Sequence, residues 1–264
     1  MDIIPELTDP ERRLIFYQII TSLILIGVII AISIRKKLNL ERRILTAAWR
    51  GFFQLTILSL VLVYIFSVSF VIFQFLILGV MIYFGAQTAS KRLRKVPNVF
   101  RIELISISIA VYTIMIIITI LGAIPLDSPE IWIPIGGMAT GNSMNISFLT
   151  IKGIKNEITN RKDEVETALS LGLPPNAVLE ELKIISSAMR MGITPNMNNL
   201  RTLGLVFIPG LMTGLLIGGE SPIVAAIYQI MIFFVIISTG LIASFIGSTL
   251  IVNELFNKET HSLV

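Results

Sequence analysis

Long apolar runs occupy most of the chain, and they constrain its fold more than any other feature of the sequence. Each run has about 20 residues, enough for a helix to cross the ~30 Å hydrocarbon core of a bilayer. We place seven runs, roughly at 14–34, 44–66, 71–90, 102–122, 133–151, 195–218 and 223–252. With 54% hydrophobic and 14% charged residues, the composition lies outside the range of soluble domains. The sequence therefore predicts an all-α, polytopic membrane protein with about seven transmembrane helices in a single transmembrane domain, 1–264.

The basic residues of the short loops predict the orientation, because cytoplasmic loops accumulate lysine and arginine. Basic clusters follow the first, third and fifth runs, at 35–43, 91–101 and 152–190. An odd number of spans then places the N-terminus outside and the C-terminus in the cytoplasm of a multi-pass protein of the cell membrane. The run 133–151 is the weakest of the seven, because it is short and rich in glycine.

The residue inventory excludes several kinds of site. The chain has no cysteine, and its one histidine, His261, lies in the C-terminal tail, which excludes a thiolate or histidine metal site in the membrane. The net charge of +4 comes from basic loops at the membrane surface, so we expect no nucleic-acid partner. The sequence lacks a G-x-x-x-x-G-K-S/T phosphate-binding loop, so we expect a protein that is not an ATP-hydrolysing enzyme.

One long charged segment, 152–192, interrupts the apolar pattern. Apolar residues recur at helical spacing over 151–171, which predicts an amphipathic helix continuing from the fifth span. Gly172 ends this helix, and Pro174 forces the residue before it into an extended conformation, so the chain turns there. A second helix with an apolar stripe is predicted over about 176–191.

Two interpretations of this segment stay open. Its apolar stripe could rest on lipid headgroups, as in helices that lie on a membrane surface. Such helices are usually strongly basic, whereas six acidic residues here balance six basic ones. We therefore favour a docking platform for a soluble protein.

Several motifs resemble the permeases of ABC transporters. Glu166, Ala168 and Gly172 have the E-A-A, three residues, G spacing by which such permeases present a coupling helix to an ATPase, with Thr167 replacing the middle alanine. Most of the chain, about 44–252, resembles FetB-type permeases, a family of proposed metal exporters that includes plant aluminium-tolerance membrane subunits. The resemblance rests on GNSMN (141–145), PNMNNLRTLGLVFIPGLMTG (195–214), SPIVAAIYQIMIFF (221–234) and the spacing of Arg50, Gln54 and Leu55.

The resemblance implies an ABC permease subunit that exports a metal ion, with iron as the suggested cargo. It implies a permease homodimer with two separate ATP-binding subunits, which hold the ATP and magnesium, so this chain has no cofactor of its own. The implied ATPase-coupling residues are Glu166, Ala168, Gly172, Leu173, Pro174 and Leu179. A permease for a non-metal solute, a stand-alone secondary carrier and a membrane assembly factor are the alternatives. A carrier is disfavoured because the spans hold almost no Asp, Glu or His.

Polar residues in the spans are candidates for a transport pathway, because unpaired polar groups are costly in hydrocarbon. Arg50 and Arg201 either snorkel to the interface or act inside the membrane, and Glu103 is expected at the interface. Amides at the span ends either bond between helices or line a pathway. The pathway or gating candidates are Arg50, Gln54, Asn142, Met144, Asn145, Asn196, Asn199, Arg201, Pro209, Gly210, Met212 and Thr213.

The sixth run carries a glycine at every fourth position: Gly210, Gly214 and Gly218. Such a stripe usually allows close helix packing. Alternatively, Pro209 and Gly210 form a hinge where the span lines the pathway.

No firm metal site is predicted, because soft or neutral ligands such as thioethers and amides bind iron only weakly. Met144 and Met212 are weak candidates, and methionine is equally suited to packing in an apolar helix.

Overall fold

The computed structural model describes residues 9–66, 71–93 and 96–256. In these ranges all regular secondary structure is α-helix, apart from one isolated β-bridge between Leu203 and Phe207. Five of the described helices are long and apolar enough to cross a membrane by themselves. The prediction of an all-α, polytopic membrane fold is therefore confirmed. The chain forms two compact units, residues 1–69 and 70–264.

The first unit is a pair of helices, α1 (Asp9–Arg35) and α2 (Glu41–Phe66). Ser33 ties the two helices together at their turn. Its Oγ donates to Glu41 Oε1 at 2.7 Å and accepts from the Leu40 amide at 3.2 Å. Most of the apolar side chains on both helices are exposed, as expected of helices surrounded by lipid or by other protein.

The second unit is built on four long helices: α3 (Val71–Arg92), α4 (Val99–Ile120), α5 (Pro129–Asn160) and α10 (Pro222–Leu255). α5 is central and packs against each of the other three. Small residues allow close approach, since Gly136 of α5 meets Leu78 of α3 and Gly240 of α10 meets Ile146 of α5. These contacts and their neighbours along the helices make α3, α5 and α10 parallel to one another and α4 antiparallel to them.

Aromatic and amide side chains fasten the end of the bundle where α5 begins. Trp132 is fully buried, and its Nε1 donates to Thr119 Oγ1 of α4 at 3.1 Å. Gln74 Nε2 of α3 donates to the Leu126 carbonyl oxygen at 2.9 Å, and the Phe75 ring packs on Trp132. The start of α5 is thus fixed to both α3 and α4.

The opposite end of the bundle leads into the charged segment. α5 continues without interruption to Asn160, as predicted, and three further helices follow: α6 (Lys162–Ser170), α7 (Pro175–Glu181) and α8 (Ile184–Thr202). The predicted helix over 151–171 is broken at Arg161, which lies outside helical geometry. The predicted helix over 176–191 is broken at Lys183, whose φ of 55° no α-helix contains.

The prediction of one continuous sixth span over 195–218 is wrong. α8 ends at Thr202, and α9 (Gly210–Ile217) has only 8 residues, about 12 Å of helix. Between them Gly204 has a φ of 74°. Pro209 also disfavours a helical conformation at Ile208, the residue before it. We call α8, residues 203–209 and α9 the interrupted helix.

Candidate functional site

α6, the turn 171–174 and α7 form a hairpin with an apolar interior. Val165 of α6 and Val178 and Leu179 of α7 are fully buried. They belong to one cluster with Ile154 of α5 and Ile251 of α10. Because protein interiors are close-packed, this cluster is a continuous contact between the hairpin and both α5 and α10.

Arg161 fixes the hairpin to the end of α5. Its Nη1 donates to the Leu182 carbonyl oxygen at 2.7 Å, and its Nε donates to Glu164 Oε2 at 3.0 Å. The hydrogen bond from Arg161 lowers the pKa of Glu164, and the same bond raises the pKa of Arg161. One guanidinium therefore contacts both the start of α6 and the end of α7.

The outer face of the hairpin combines apolar and charged side chains. Leu171 is 79% exposed and Leu173 is 42% exposed, on either side of Gly172. Gly172 has a φ of 86°, a left-handed conformation that favours glycine. Glu166 is exposed and pairs with Lys162 at 3.4 Å. Exposed leucines on a charged hairpin are typical of a surface that a protein partner covers.

The predicted coupling residues divide into two groups. Four are exposed on the outer face: Glu166, Gly172, Leu173 and Pro174. Ala168 is half-buried against the apolar cluster, and Leu179 is fully buried in it. Ala168 and Leu179 can therefore support the outer face from below, but a partner could contact little of Ala168 and none of Leu179.

Local and long-range hydrogen bonds hold the break of the interrupted helix and the start of α9. The Gly204 amide donates to the Phe207 carbonyl oxygen at 3.1 Å, which forms a tight loop. The Met212 amide, in the first turn of α9, donates to Oε1 of Gln229 at 3.3 Å. Gln229 is buried on α10, so a side chain distant in sequence caps α9.

α8 has two different faces. One packs on α5, where a Cβ added to Gly192 would lie 2.8 Å from the Ile146 carbonyl oxygen and one on Gly153 would lie 3.1 Å from Ala188 Cβ. The other exposes polar side chains: Thr194, Asn198, Asn199 and Arg201. Because polar side chains are costly against lipid tails, this face fits water or protein contact.

The amides predicted for a pathway lie on α5 and α8. Asn142 Nδ2 donates to the Met138 carbonyl oxygen in its own helix at 2.9 Å. Asn145 Oδ1 accepts from Arg92 Nη1 of α3 at 3.4 Å. The antiparallel register of α5 and α8 brings Asn196 to about the level of Asn142, since Gly192 meets Ile146 one turn away.

The remaining predicted pathway residues are scattered. Arg50 and Gln54 are exposed on α2 of the first unit. Met144 packs near Gly85 of α3, whereas Met212 and Thr213 lie on α9. Among the described residues, no group of three or more His, Cys, Asp or Glu side chains could hold a metal ion.

The glycine stripe of the sixth run does not pack against another helix in the described part of the chain. A Cβ added to Gly210 or Gly214 would meet no described atom within 4 Å, and one added to Gly218 would meet only carbonyl oxygens of α9. The stripe therefore leaves a smooth exposed face on α9.

A cavity of about 400 Å³ at the hairpin end of the bundle is lined by basic side chains. Lys91 and Arg92 of α3 face Lys152 and Lys155 of α5 across it. The Arg92 guanidinium lies 5.4 Å from the centre of the Phe148 ring. The loop-charge pattern predicted these basic residues, but the cavity arises only where α3 and α5 meet.

Glu103 is the main residue whose position the sequence misjudged. It was expected at the interface, but it is 0% exposed on α4. Its carboxylate oxygens, like the buried Ser143 and Ser147 hydroxyls of α5, have no hydrogen-bond partner among the described residues. A glutamate at the second position of an apolar run, combined with serines one turn apart in a facing run, is the signal in the sequence.

The sequence as a whole matches a known family model. The model described as "Uncharacterised protein family (UPF0014)" matches residues 16–256. This chain belongs to the UPF0014 family. The match includes most of both compact units, so the family relationship extends across the hairpin, the interrupted helix and the Glu103 region.

Several UPF0014 relatives carry informative names. "Probable iron export permease protein FetB" of Escherichia coli (strain K12) is 31% identical over 243 residues, 92% of each chain. "UPF0014 membrane protein STAR2" of Oryza sativa subsp. japonica is 30% identical over 85% of this chain and 78% of its own. "Protein ALUMINUM SENSITIVE 3" of Arabidopsis thaliana is 30% identical over 90% of this chain and 86% of its own. No solved structure matches.

Proposed function

We propose that this UPF0014 protein is the permease subunit of an ABC transporter that exports a metal ion. The hairpin carries the proposal, because it has exposed leucines outside and an apolar cluster continuous with α5 and α10 inside. That combination suits a part that receives motion from a soluble partner. The name of the Escherichia coli relative supports iron as the first cargo to test.

In this proposal the partner is an ATP-binding subunit that holds ATP and magnesium. Two permeases and two ATPases form the working transporter in the cell membrane, with the N-terminus outside and the hairpin in the cytoplasm. Closure of the ATPases pushes on Leu171 and Glu166. The apolar cluster and the close contact of Gly192 with α5 carry that movement to α8 and the interrupted helix.

The polar face of α8 is the proposed pathway lining. Asn198, Asn199 and Arg201 are exposed on a helix that continues from the hairpin. Rotation of α8 would change which side of the membrane these groups face, which is the requirement of alternating access. The break at 203–209 allows α8 to move without carrying α9 rigidly with it.

We expect a lone ABC ATPase to be encoded beside this chain, and the test is reconstitution of the full chain with that ATPase in vesicles. We expect co-purification, and ATP hydrolysis that rises with iron. Glu166→Arg and Leu171→Asp should abolish that rise, whereas Glu220→Arg, an exposed glutamate outside the hairpin, should not. A chain that purifies alone, with transport unaffected by Glu166→Arg, would rule out the ABC assignment. A working pair that no metal stimulates would rule out the metal cargo only.

A secondary carrier is the second candidate, and Glu103 is the observation that favours it. Buried carboxylates in spans are typical of carriers driven by protons or ions. The two candidates differ in their energy source. Uptake into vesicles that contain the chain alone, driven by an ion gradient without ATP, would favour the carrier.

A further inference from the structure

Glu103 is buried without a counter-ion among the described residues. The described salt bridges join Arg161 to Glu164 and Lys162 to Glu166, and neither reaches Glu103. Both of its carboxylate oxygens also lack hydrogen-bond partners among the described residues. Because an isolated buried carboxylate is very costly, it requires a proton or a cation from outside the chain.

Hydroxyl groups from two helices surround this carboxylate. Ser147 of α5 lies close enough to Glu103 to hydrogen-bond with it, although neither its Oγ nor the carboxylate makes a hydrogen bond of good geometry among the described residues. Ser106 Oγ donates its hydrogen to the Ile102 carbonyl oxygen at 2.7 Å, which leaves its oxygen lone pairs available. Glu103 and Ser106 lie on one face of α4, since they are three residues apart.

The third wall of this region is a glycine. A Cβ added to Gly247 of α10 would lie 3.1 Å from Ser147 Oγ and 3.5 Å from Ser106 Oγ. The two hydroxyls therefore converge on a position of α10 that has no side chain. α4 and α5 thus direct hydroxyl oxygens toward Gly247 of α10, next to the Ile151 side chain, whose Cδ1 would lie 3.7 Å from the same Cβ.

We propose that Glu103, Ser106 and Ser147, here named the Glu103 site, bind a hard metal cation inside the bundle. Carboxylate and hydroxyl oxygens are hard ligands, which suit ions such as Mn²⁺ and Mg²⁺ better than soft ions. One negative charge and neutral hydroxyls give reversible binding rather than a permanent structural site. The binding stands on the structure alone, and only the identification of the bound ion as cargo rests on the proposed function.

The apolar cluster next to the Glu103 site explains how it could open and close. Ile102, which precedes Glu103, and Ile151, which lies one turn from Ser147, belong to the same cluster as Val165 of the hairpin. This cluster separates the Glu103 site from the hairpin end of the bundle. Movement of the hairpin would therefore change access to the Glu103 site from that side.

The probe is Mn²⁺, because free Mn²⁺ has a sharp paramagnetic resonance spectrum that is lost on binding. The purified full chain in lipid nanodiscs should bind Mn²⁺ saturably without any ATPase present. Glu103→Gln should weaken binding at least about tenfold, and Ser147→Ala about tenfold. Glu254→Gln is the matched control, since that carboxylate lies at the same end and accepts from Asn98 Nδ2 at 3.0 Å.

Absence of saturable binding by the unaltered chain, or equal affinity after Glu103→Gln, would overturn the proposal. If Glu103→Gln does not fold, unchanged affinity in Ser147→Ala overturns it instead. The ABC assignment is judged separately. If metal stimulates the ATPase equally with the unaltered chain and with Glu103→Gln, the proposed function stands and the Glu103 site is wrong. If the chain binds Mn²⁺ through Glu103 but has no ATPase partner, the Glu103 site stands and the proposed function is wrong.

Discussion

Arg161 Nη1 donates a hydrogen bond of 2.7 Å to the Leu182 carbonyl oxygen. Arg161 separates α5 from α6, and Leu182 follows the last residue of α7. This one bond therefore joins the two ends of the hairpin. A carbonyl at the end of a helix carries partial negative charge, which a guanidinium complements well. We expect this contact to stiffen the hairpin as the proposed docking surface.

Arg161→Ala should loosen the hairpin without unfolding the bundle. We expect a lower midpoint of thermal unfolding for the purified chain, and weaker metal stimulation of the partner ATPase. The thermal midpoint of Arg161→Lys should lie between those of the unaltered chain and Arg161→Ala, because a lysine ammonium lacks the planar fork with which arginine contacts both Glu164 and Leu182. Arg190→Ala, an exposed arginine on α8, is the control. Equal thermal midpoints for Arg161→Ala and Arg190→Ala would contradict the assigned role.

The pair of Arg161 and Glu164 gives a pH dependence of known sign. The pKa of Glu164 lies below its ordinary value of 4.5, because Arg161 donates a hydrogen bond to the carboxylate. A lowered folded pKa contributes stability above the unfolded pKa, and that stability is lost as the pH falls through the folded pKa. The effect is small, since the pair is exposed and screened.

Thermal midpoints of the unaltered chain and Glu164→Gln should therefore differ by a constant amount at neutral pH. The difference should shrink as the pH falls below about 4.5, the unshifted value. If the difference in thermal midpoint grew on acidification, the pair would stabilise the fold more at low pH, which is the opposite of the expected sign.

Gly192→Ala should separate α8 from α5. The added methyl would lie 2.8 Å from the Ile146 carbonyl oxygen and also against Thr150 Oγ1, and a backbone atom cannot move aside as a flexible side chain can. Overpacking of this kind costs about 1–3 kcal/mol. Gly141→Ala is the matched control in α5, because its Cβ would meet no described atom within 4 Å. The free energies of unfolding should differ by that amount, and equal values would exclude close packing as the role of Gly192.

The sequence predicted the helices whose pattern is local. Apolar length locates α1 to α4 and α10, and the stop at Gly172 follows from glycine and proline chemistry. The break at 203–209 lies within an unbroken apolar block, Leu203 to Ile208, which hydropathy treats as helix. The first turn of α9, which follows this break, is capped by Gln229 of α10, a contact that a local pattern does not contain.

Glu103 shows the same limit for the candidate site. Its place near the start of an apolar run indicates the interface, because a hydropathy pattern locates a residue along its own helix and not against the neighbouring helices. Its burial results from packing of α4 against α5 and α10, which places it beside Ser147 of α5. The helices and the turn of the hairpin could be predicted, but the division between exposed Leu171 and buried Leu179 required the fold.

Cysteine labelling can separate lipid-facing from water-facing exposure, because the chain has no cysteine of its own. Asn199→Cys on α8 and Ile109→Cys on α4 both introduce a thiol at an exposed position. In nanodiscs, a polar maleimide should label Asn199→Cys rapidly and Ile109→Cys hardly at all, since thiolates form only in contact with water. Both should label fully after denaturation. Equal slow labelling would mean that the polar face of α8 is covered by protein and lines no pathway.

Gln229 should control the local stability of α9. The first amides of a helix have no partner within it, and Gln229 Oε1 accepts from the Met212 amide at 3.3 Å. Gln229→Leu leaves that amide unpaired, at a cost of about 1–3 kcal/mol, whereas Gln229→Glu keeps an acceptor oxygen. With a thiol introduced by Met212→Cys, maleimide labelling should be faster in the Gln229→Leu background and unchanged in Gln229→Glu. Because the loss is confined to one cap, the thermal midpoint of the bundle should change little. Labelling at the same rate in both backgrounds would mean that α9 is held in place by contacts other than this cap.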